Sequence, residues 1–193
     1  MKLGVFGGTF DPVHMGHIAL ALECWHKLEL DKVLFVPANT SPFKSDHAPA
    51  SPADRLNMLR LAAGHDPRFG ICTLELDRGG VSYTVDTLRK LTEEYGDLTE
   101  LFFLSGADSA GGAARWKDIG EIMKMSTFVA VTRPGCDAVG FPEGNIRFIE
   151  MPFMEISSTM IRCRVKARQP IEGFLPSSVA DYMRDKGLYR GDK

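Results

Sequence analysis

A short apolar run, Leu3 to Phe6, stops at Gly7-Gly8. Beyond the two glycines, Ile18, Ala21, Leu22, Trp25 and Leu28 recur at helical spacing. That periodicity predicts a helix from about Val13 to Leu28. Val33-Leu34-Phe35-Val36 then reads as a second buried strand, closed by Pro37. Strand, helix and strand in so short a stretch form a βαβ unit, which commits the chain to parallel pairing with a helix across the sheet. Without Cβ atoms, Gly7 and Gly8 let the backbone turn sharply where the first strand hands over to the helix.

The same alternation continues. Ser51 looks like an N-cap with Pro52 at the first helical position, and Leu56, Leu59 and Ala63 give that helix an apolar face. Cys72, Leu74 and Leu76 alternate with Thr73 and Glu75, which predicts a strand before Gly79-Gly80. Thr84 is placed to cap a helix that turns Val85, Leu88, Leu91 and Tyr95 inward. Leu101 to Leu104 reads as a buried strand running into Ser105-Gly106-Ala107-Asp108, and Gly111 to Ala114 as a soft loop. A helix around Trp116 to Met125, a strand over Thr127 to Thr132 and a last strand over Ile146 to Ile149 follow. Ser157 or Ser158 opens a helix that ends before Pro170. Ser178 with Asp181 has the spacing of a capping box for another, ended by Gly187. The expected fold is α/β: a Rossmann-like, doubly wound, mostly parallel sheet with a helical C-terminal subregion. No linker, repeat or low-complexity stretch divides it. Residues 1–193 are expected to form one domain, with an α/β core over 1–155 and the helical part over 156–193.

Charge and cysteines narrow the function classes. The formal net charge is -2, without the basic excess of a protein that grips a nucleic-acid backbone. A small anionic ligand stays open, because a few basic groups in one cleft suffice. Cys24, Cys72, Cys136 and Cys163 are far apart in sequence, so zinc-type spacing is absent and reduced, buried thiols are expected. No apolar run has the ~18 residues that mark a membrane span. The expected compartment is the cytoplasm.

His14 and His17 stand three residues apart at the start of the first helix, separated by Met15 and Gly16. That spacing puts both imidazoles on one helix face, and Gly16 clears room beside them. In doubly wound sheets the strand-to-helix junction lies at the carboxyl ends of the strands, where ligands bind. The helix N-terminus offers unpaired N–H groups and partial positive charge, which suit a phosphate. Two imidazoles there can donate to phosphate oxygens, most strongly if protonated. The pattern is neither GxGxxG nor GxxxxGK[ST], so neither a dehydrogenase fingerprint nor a Walker loop is present. A second cluster, Ile156-Ser157-Ser158-Thr159-Met160-Ile161-Arg162, places hydroxyls at a helix start with Arg162 one turn further on. By itself it reads as an N-cap with a solvated arginine. Beside a phosphate site, its hydroxyls and guanidinium can hold further phosphate oxygens.

Gly7-Gly8-Thr9-Phe10-Asp11-Pro12-Val13-His14-Met15-Gly16-His17 resembles the signature of the nucleotidyltransferases that carry His-x-Gly-His. Ile156 to Arg162 is similar to the second signature of that superfamily. The likeness is strongest to the bacterial nicotinate-nucleotide adenylyltransferases, since Gly7-Gly8-Thr9 differs from the Gly-Ser-Phe usual in the phosphopantetheine branch. Ser82-Tyr83-Thr84, Gly106-Ala107-Asp108, Arg115-Trp116, Arg133-Pro134-Gly135 and the ending Gly187-Leu188-Tyr189 also fit that family. Where the family usually has Pro-Pro-His-Lys, this chain has Ser41-Pro42-Phe43-Lys44, so the loop histidine is replaced.

The resemblance implies adenylyl transfer from ATP to nicotinate mononucleotide, with release of pyrophosphate, in NAD biosynthesis. It assigns His14, His17 and Arg162 to catalysis. ATP contacts are implied for Gly7, Gly8, Thr9, Phe10, Gly16, Gly106, Asp108, Ser158 and Thr159, and acceptor contacts for Lys44, Tyr83, Thr84, Trp116 and Arg133. Mg²⁺ is expected to arrive on the ATP phosphates rather than in a protein cage. Catalysis of this kind is mainly positioning and electrostatics. Rival readings are a related transferase acting on nicotinamide mononucleotide or phosphopantetheine, a cytidylyltransferase, and a nucleotide sensor without turnover. The partners implied are ATP and nicotinate mononucleotide, with no nucleic acid and no membrane; a homo-oligomer is left open.

Overall fold

The computed structural model describes residues 1–42, 50–106, 112–132, 144–152 and 154–191. Six strands form one sheet: β1 (Lys2–Gly8), β2 (Lys32–Pro37), β3 (Phe69–Ile71), β4 (Glu100–Gly106), β5 (Thr127–Thr132) and β6 (Ile146–Glu150). Their order is β3-β2-β1-β4-β5-β6, and every neighbouring pair is parallel. The order reverses at β1, between β2 and β4. In such sheets that reversal opens a crevice at the carboxyl ends of the strands. β1 does not stop and turn at the two glycines, as expected, but runs through both, with Gly7 opposite Val36 and Gly8 opposite Pro37 in the parallel ladder.

Helices α1 (Met15–Lys27), α2 (Pro52–Ala63), α3 (Leu74–Arg78), α4 (Thr84–Tyr95), α5 (Ile119–Met125), α6 (Ser158–Lys166) and α7 (Ser177–Asp185) cover the sheet. Strand residues alternate between two cores, as a pleat demands. Phe6, Val33, Phe35, Phe102, Leu104, Val129 and Val131 face one side, where Ala21 and Cys24 of α1, Met58 and Leu59 of α2, Ile161 of α6 and Val179 and Met183 of α7 meet them. Leu3, Val5, Leu34, Val36, Leu101, Phe103, Phe128 and Ala130 face the other, against Val85, Leu88 and Leu91 of α4 and Ile122 and Met123 of α5. The two C-terminal helices therefore complete the first core instead of forming a separate layer.

Several local expectations are corrected. The segment after β3 is a helix, not a strand. The ladder ends where the Cys72 N–H donates to the Phe35 carbonyl, and Thr73 then starts a turn with the Asp77 N–H on its carbonyl. Glu75, which alternation would expose, is the buried residue of α3, and its carboxylate accepts from the Thr87 hydroxyl at 2.5 Å. Thr84 is the first residue of α4 and Tyr83 its cap, while Tyr95 is 36% exposed. The helix expected from Trp116 starts only at Ile119, after a 3-10 turn over Ala113–Arg115 and a left-handed Asp118. Extended backbone at Trp116 lets its ring pack edge-on against Phe103 and Phe128. Ala113, expected in a soft loop, is fully buried. α7 begins at Ser177 behind Pro176, and the Ser178 hydroxyl donates to the Leu61 carbonyl, tying α7 to α2 rather than capping its own helix. Among the cysteines, Cys24 is buried, Cys72 half-buried and Cys163 exposed, so burial holds only for the first; Cys136 lies outside the described residues. Burial pushes the Cys24 thiol up to about 12, which keeps it an inert packing group.

Candidate active site

The turn between β1 and α1 is held open from beneath by Phe10. Its backbone is left-handed (φ 50°) and its ring is 1% exposed, edge-on to Phe6, Phe35 and His17. Gly8 is what admits that ring: a Cβ there would stand 2.9 Å from it. Burying a phenylalanine contributes on the order of 2 kcal/mol, enough to favour the left-handed backbone locally. The Phe10 side chain is thus a core residue, and any nucleotide contact it makes falls to its backbone. Gly7 points to the opposite face, where a Cβ would meet Phe103 at 3.5 Å.

His14 is not inside the helix, as expected, but at its N-cap, with extended backbone. Its N–H donates to Nδ1 of His17 at 3.2 Å, and the two imidazoles stack with centroids 3.7 Å apart. His14 is 7% exposed, and Nδ1 has no hydrogen-bond partner among the described residues. Burial lowers its pKa to about 4, so it is a neutral imidazole at neutral pH. Gly16 leaves the space its position suggested, for a Cβ there would lie 3.1 Å from His14 Nδ1.

The second cluster docks onto this turn. Ser157 caps α6 through its hydroxyl, which accepts from the Met160 N–H. The Ser158 hydroxyl donates to the Pro12 carbonyl at 2.9 Å. Arg162 donates to the Asp11 carbonyl at 2.7 Å and to the Thr159 hydroxyl at 3.1 Å. Residues 151 positions apart in sequence are so joined at the mouth of β1. The C-terminal segment adds a further tie: the Tyr189 hydroxyl donates to Asp11 Oδ1 at 2.5 Å, and the same oxygen accepts from the Ala50 N–H. Burial, together with the Asp11 carboxylate, pushes the Tyr189 phenol well above its ordinary value, so it stays a donor.

Of the expected acceptor residues, Tyr83 and Trp116 lie on the opposite face of the sheet from Phe10. Tyr83 and Trp116 both pack against the second core, and Lys117 brings its ammonium 4.7 Å from the centre of the Tyr83 ring. Thr84 opens α4 beside them, and Gly106 ends β4. Lys44, Asp108 and Arg133 lie outside the described residues, as does Phe43. Among the described residues, no group of three His, Cys, Asp or Glu could hold a metal ion, and no helix is long and apolar enough to cross a membrane.

Two residues that sequence reasoning passed over belong to this turn. Asp11 accepts three of the hydrogen bonds just described, from Arg162, Tyr189 and Ala50. Arg55 is 1% exposed and donates to the carbonyls of Thr9, Asn39 and Ala50. A signal was present: Arg55, Leu59 and Ala63 fall four apart on the buried stripe of α2.

A doubly wound parallel sheet with a two-histidine turn at its switch point defines a nucleotide-binding fold, and residues 5–164 match the cytidylyltransferase-like family. Proteins named probable nicotinate-nucleotide adenylyltransferase match nearly end to end. That of Corynebacterium kroppenstedtii is 43% identical, covering 97% of this chain and 90% of the relative. That of Halalkalibacterium halodurans is 42% identical (98% and 91%), and that of Moorella thermoacetica 39% (98% and 92%). The chain belongs to the nicotinate-nucleotide adenylyltransferases of the cytidylyltransferase-like family. Its fold is also that of the nicotinic acid mononucleotide adenylyltransferase of Plasmodium falciparum complexed with NaAD, at a TM-score of 0.81, 18% identity and 97% coverage of both chains. A putative nicotinate-nucleotide adenylyltransferase of Vibrio parahaemolyticus superposes at 0.73, with 20% identity over 99% of this chain and 96% of that one.

Proposed function

We infer that this protein transfers the adenylyl group of ATP to nicotinate mononucleotide, giving nicotinate adenine dinucleotide and pyrophosphate, a step of NAD biosynthesis. The observation that carries this reading is the docking of Ser158 and Arg162 on the carbonyls of Pro12 and Asp11. It ties the hydroxyl-and-guanidinium cluster to the turn that leads into the two stacked imidazoles, which supports a site for two anions. A phosphate oxygen of the acceptor attacks the α-phosphorus of ATP. The bond from that phosphorus to the bridging oxygen breaks, and pyrophosphate leaves with the electron pair. The acceptor phosphate is already ionised near neutral pH, so no general base is needed, and direct displacement needs no protein nucleophile.

His14 and His17 donate to phosphate oxygens at the reacting centre. Because His14 is buried and neutral, its contribution is a placed N–H dipole rather than a positive charge, which narrows the expectation from sequence. Buried and without a hydrogen-bond partner among the described residues, Nδ1 of His14 is the kind of atom a bound phosphate or its water satisfies. Ser158, Thr159 and the remaining N–H groups of Arg162 steady the departing pyrophosphate. Thr9 and the backbone at Gly7, Gly8, Phe10, Gly16 and Gly106 line the ATP side. Tyr83, Thr84 and Trp116 line the acceptor side, where an aromatic face suits a pyridine ring. Lys44, Asp108 and Arg133 complete the assignment by resemblance. Mg²⁺ enters as part of the ATP substrate. The chain works as one catalytic domain in the cytoplasm.

The test is pyrophosphate release from MgATP with each acceptor in turn. Nicotinate mononucleotide should exceed nicotinamide mononucleotide and phosphopantetheine at least tenfold in kcat/KM. Faster turnover of either rival would reassign the acceptor, and ATP binding without turnover on any acceptor would leave a sensor.

A further inference from the structure

Arg55 lies on α2, outside both signatures, yet its side chain reaches three separate backbone segments. Its guanidinium donates to the Thr9 carbonyl at 2.8 Å, to that of Asn39 at 3.2 Å and to that of Ala50 at 3.3 Å. At 1% exposure it is the bulkiest fully buried side chain described. A buried cation is costly unless it is well hydrogen-bonded. An apolar residue of this volume would avoid desolvating a charge but would take the donors from three carbonyls, so the reason for an arginine lies in what it joins. Thr9 belongs to the turn that ends in His14 and His17. Asn39 leads to the acceptor side: its N–H donates to the Ser82 hydroxyl at 2.9 Å, its side-chain amide donates to the Gly80 carbonyl, and Ser82 directly precedes Tyr83 and Thr84. A chain of hydrogen bonds thus runs from the ATP turn through one planar guanidinium to the acceptor segment. Only a forked, multiply donating group can serve these carbonyls at once; an ammonium on a flexible stem cannot hold them at fixed mutual angles.

We propose that Arg55 is a positioning residue that fixes the ATP half-site against the acceptor half-site, setting the distance between the attacking phosphate and the α-phosphorus. The proposal rests on the adenylyl-transfer reading above. Direct displacement depends steeply on that distance, so small misplacement lowers turnover without weakening either substrate's own contacts. The distinctive expectation is a split: each substrate binds normally, and their reaction is slow.

The experiment compares the full-length protein with Arg55→Lys, which keeps the charge but not the fork. Binding of a non-hydrolysable ATP analogue and, separately, of nicotinate mononucleotide is followed by calorimetry, and kcat by pyrophosphate release. Expected are unchanged stoichiometry, both dissociation constants within threefold, and kcat at least tenfold lower. A fall in stoichiometry that accounts for the fall in kcat means a loss of folded protein and overturns the proposal. So does a dissociation constant raised tenfold for one substrate alone, which would place Arg55 in that half-site, or a kcat within threefold. Ser82→Ala breaks the same chain one link on, and should show the same split more weakly; if Arg55→Lys does not fold, normal turnover by Ser82→Ala overturns the proposal. No turnover in the unmodified protein on nicotinate mononucleotide would remove the functional reading itself, whereas brisk turnover in both proteins removes only this inference.

Discussion

The imidazole rings of His14 and His17 stack at 3.7 Å with an interplanar angle of 26°, and the backbone N–H of the first is the hydrogen bond that orients the second. Since that N–H occupies Nδ1 of His17, the neutral ring carries its proton on Nε2. One histidine thereby sets the tautomer of the other, from a cap position where its own ring is buried. A pair simply spaced along a helix would not do this.

Burial of neutral His14 makes folding sensitive to mild acid. Its pKa is lowered from 6.5 to about 4, so the unfolded chain takes up a proton at a pH where the folded one does not. The contribution is complete above pH 6.5 and is lost as pH falls towards 4, up to about 3 kcal/mol. Denaturant unfolding at pH 7.5 and pH 5 should show it. His14→Gln should flatten that part of the pH profile; an unchanged slope would mean that His14 is not the group responsible.

Gly16→Ala separates stability from function. Alanine is the better helix former by ~1 kcal/mol, but its methyl group would press on His14 Nδ1 from 3.1 Å. Thermal stability should change little, and kcat/KM for ATP should fall at least tenfold. Equal activity would show that the space beside the imidazole is not used.

Arg162→Lys retains the charge and gives up the fork that joins the Asp11 carbonyl to the Thr159 hydroxyl. Steady-state kinetics should show kcat/KM for ATP reduced at least tenfold, with the KM for nicotinate mononucleotide within threefold. A loss confined to the acceptor KM would assign Arg162 to the other substrate.

Tyr189→Phe removes one donor from the buried carboxylate of Asp11. Loss of a hydrogen bond to a charged group costs about 1.5–3 kcal/mol. Chemical denaturation should register it as a lower midpoint with unchanged slope, and Asp11→Asn should make the added cost of Tyr189→Phe smaller. Strict additivity of the two would argue against a direct contact.

The elements that sequence described best are those whose pattern repeats. Four-residue apolar runs marked β1, β2 and β4, and the Ser51-Pro52 start of α2 fell where the pattern put it, with the Asp54 N–H on the Ser51 hydroxyl. Errors came where a side chain's partner lies elsewhere in the chain. Alternation around Glu75 suggested a strand because nothing local revealed Thr87 as its hydrogen-bond partner. Helical spacing around Trp116 hid the pull of Phe103 and Phe128 on its ring.

The sequence alone determined the βαβ start and the doubly wound class and pointed to the two clusters proposed to hold phosphate, because these depend on periodicity, on glycine's missing Cβ and on residues a few positions apart. Only the tertiary structure decided that Phe10 is core, that His14 is a buried neutral cap, and that Arg55 and Asp11 gather Thr9, Asn39, Ala50, Arg162 and Tyr189 around one turn. Those facts depend on desolvation and on carbonyl oxygens, which every residue has and no side-chain pattern advertises. They exist only once the sheet has brought distant segments together.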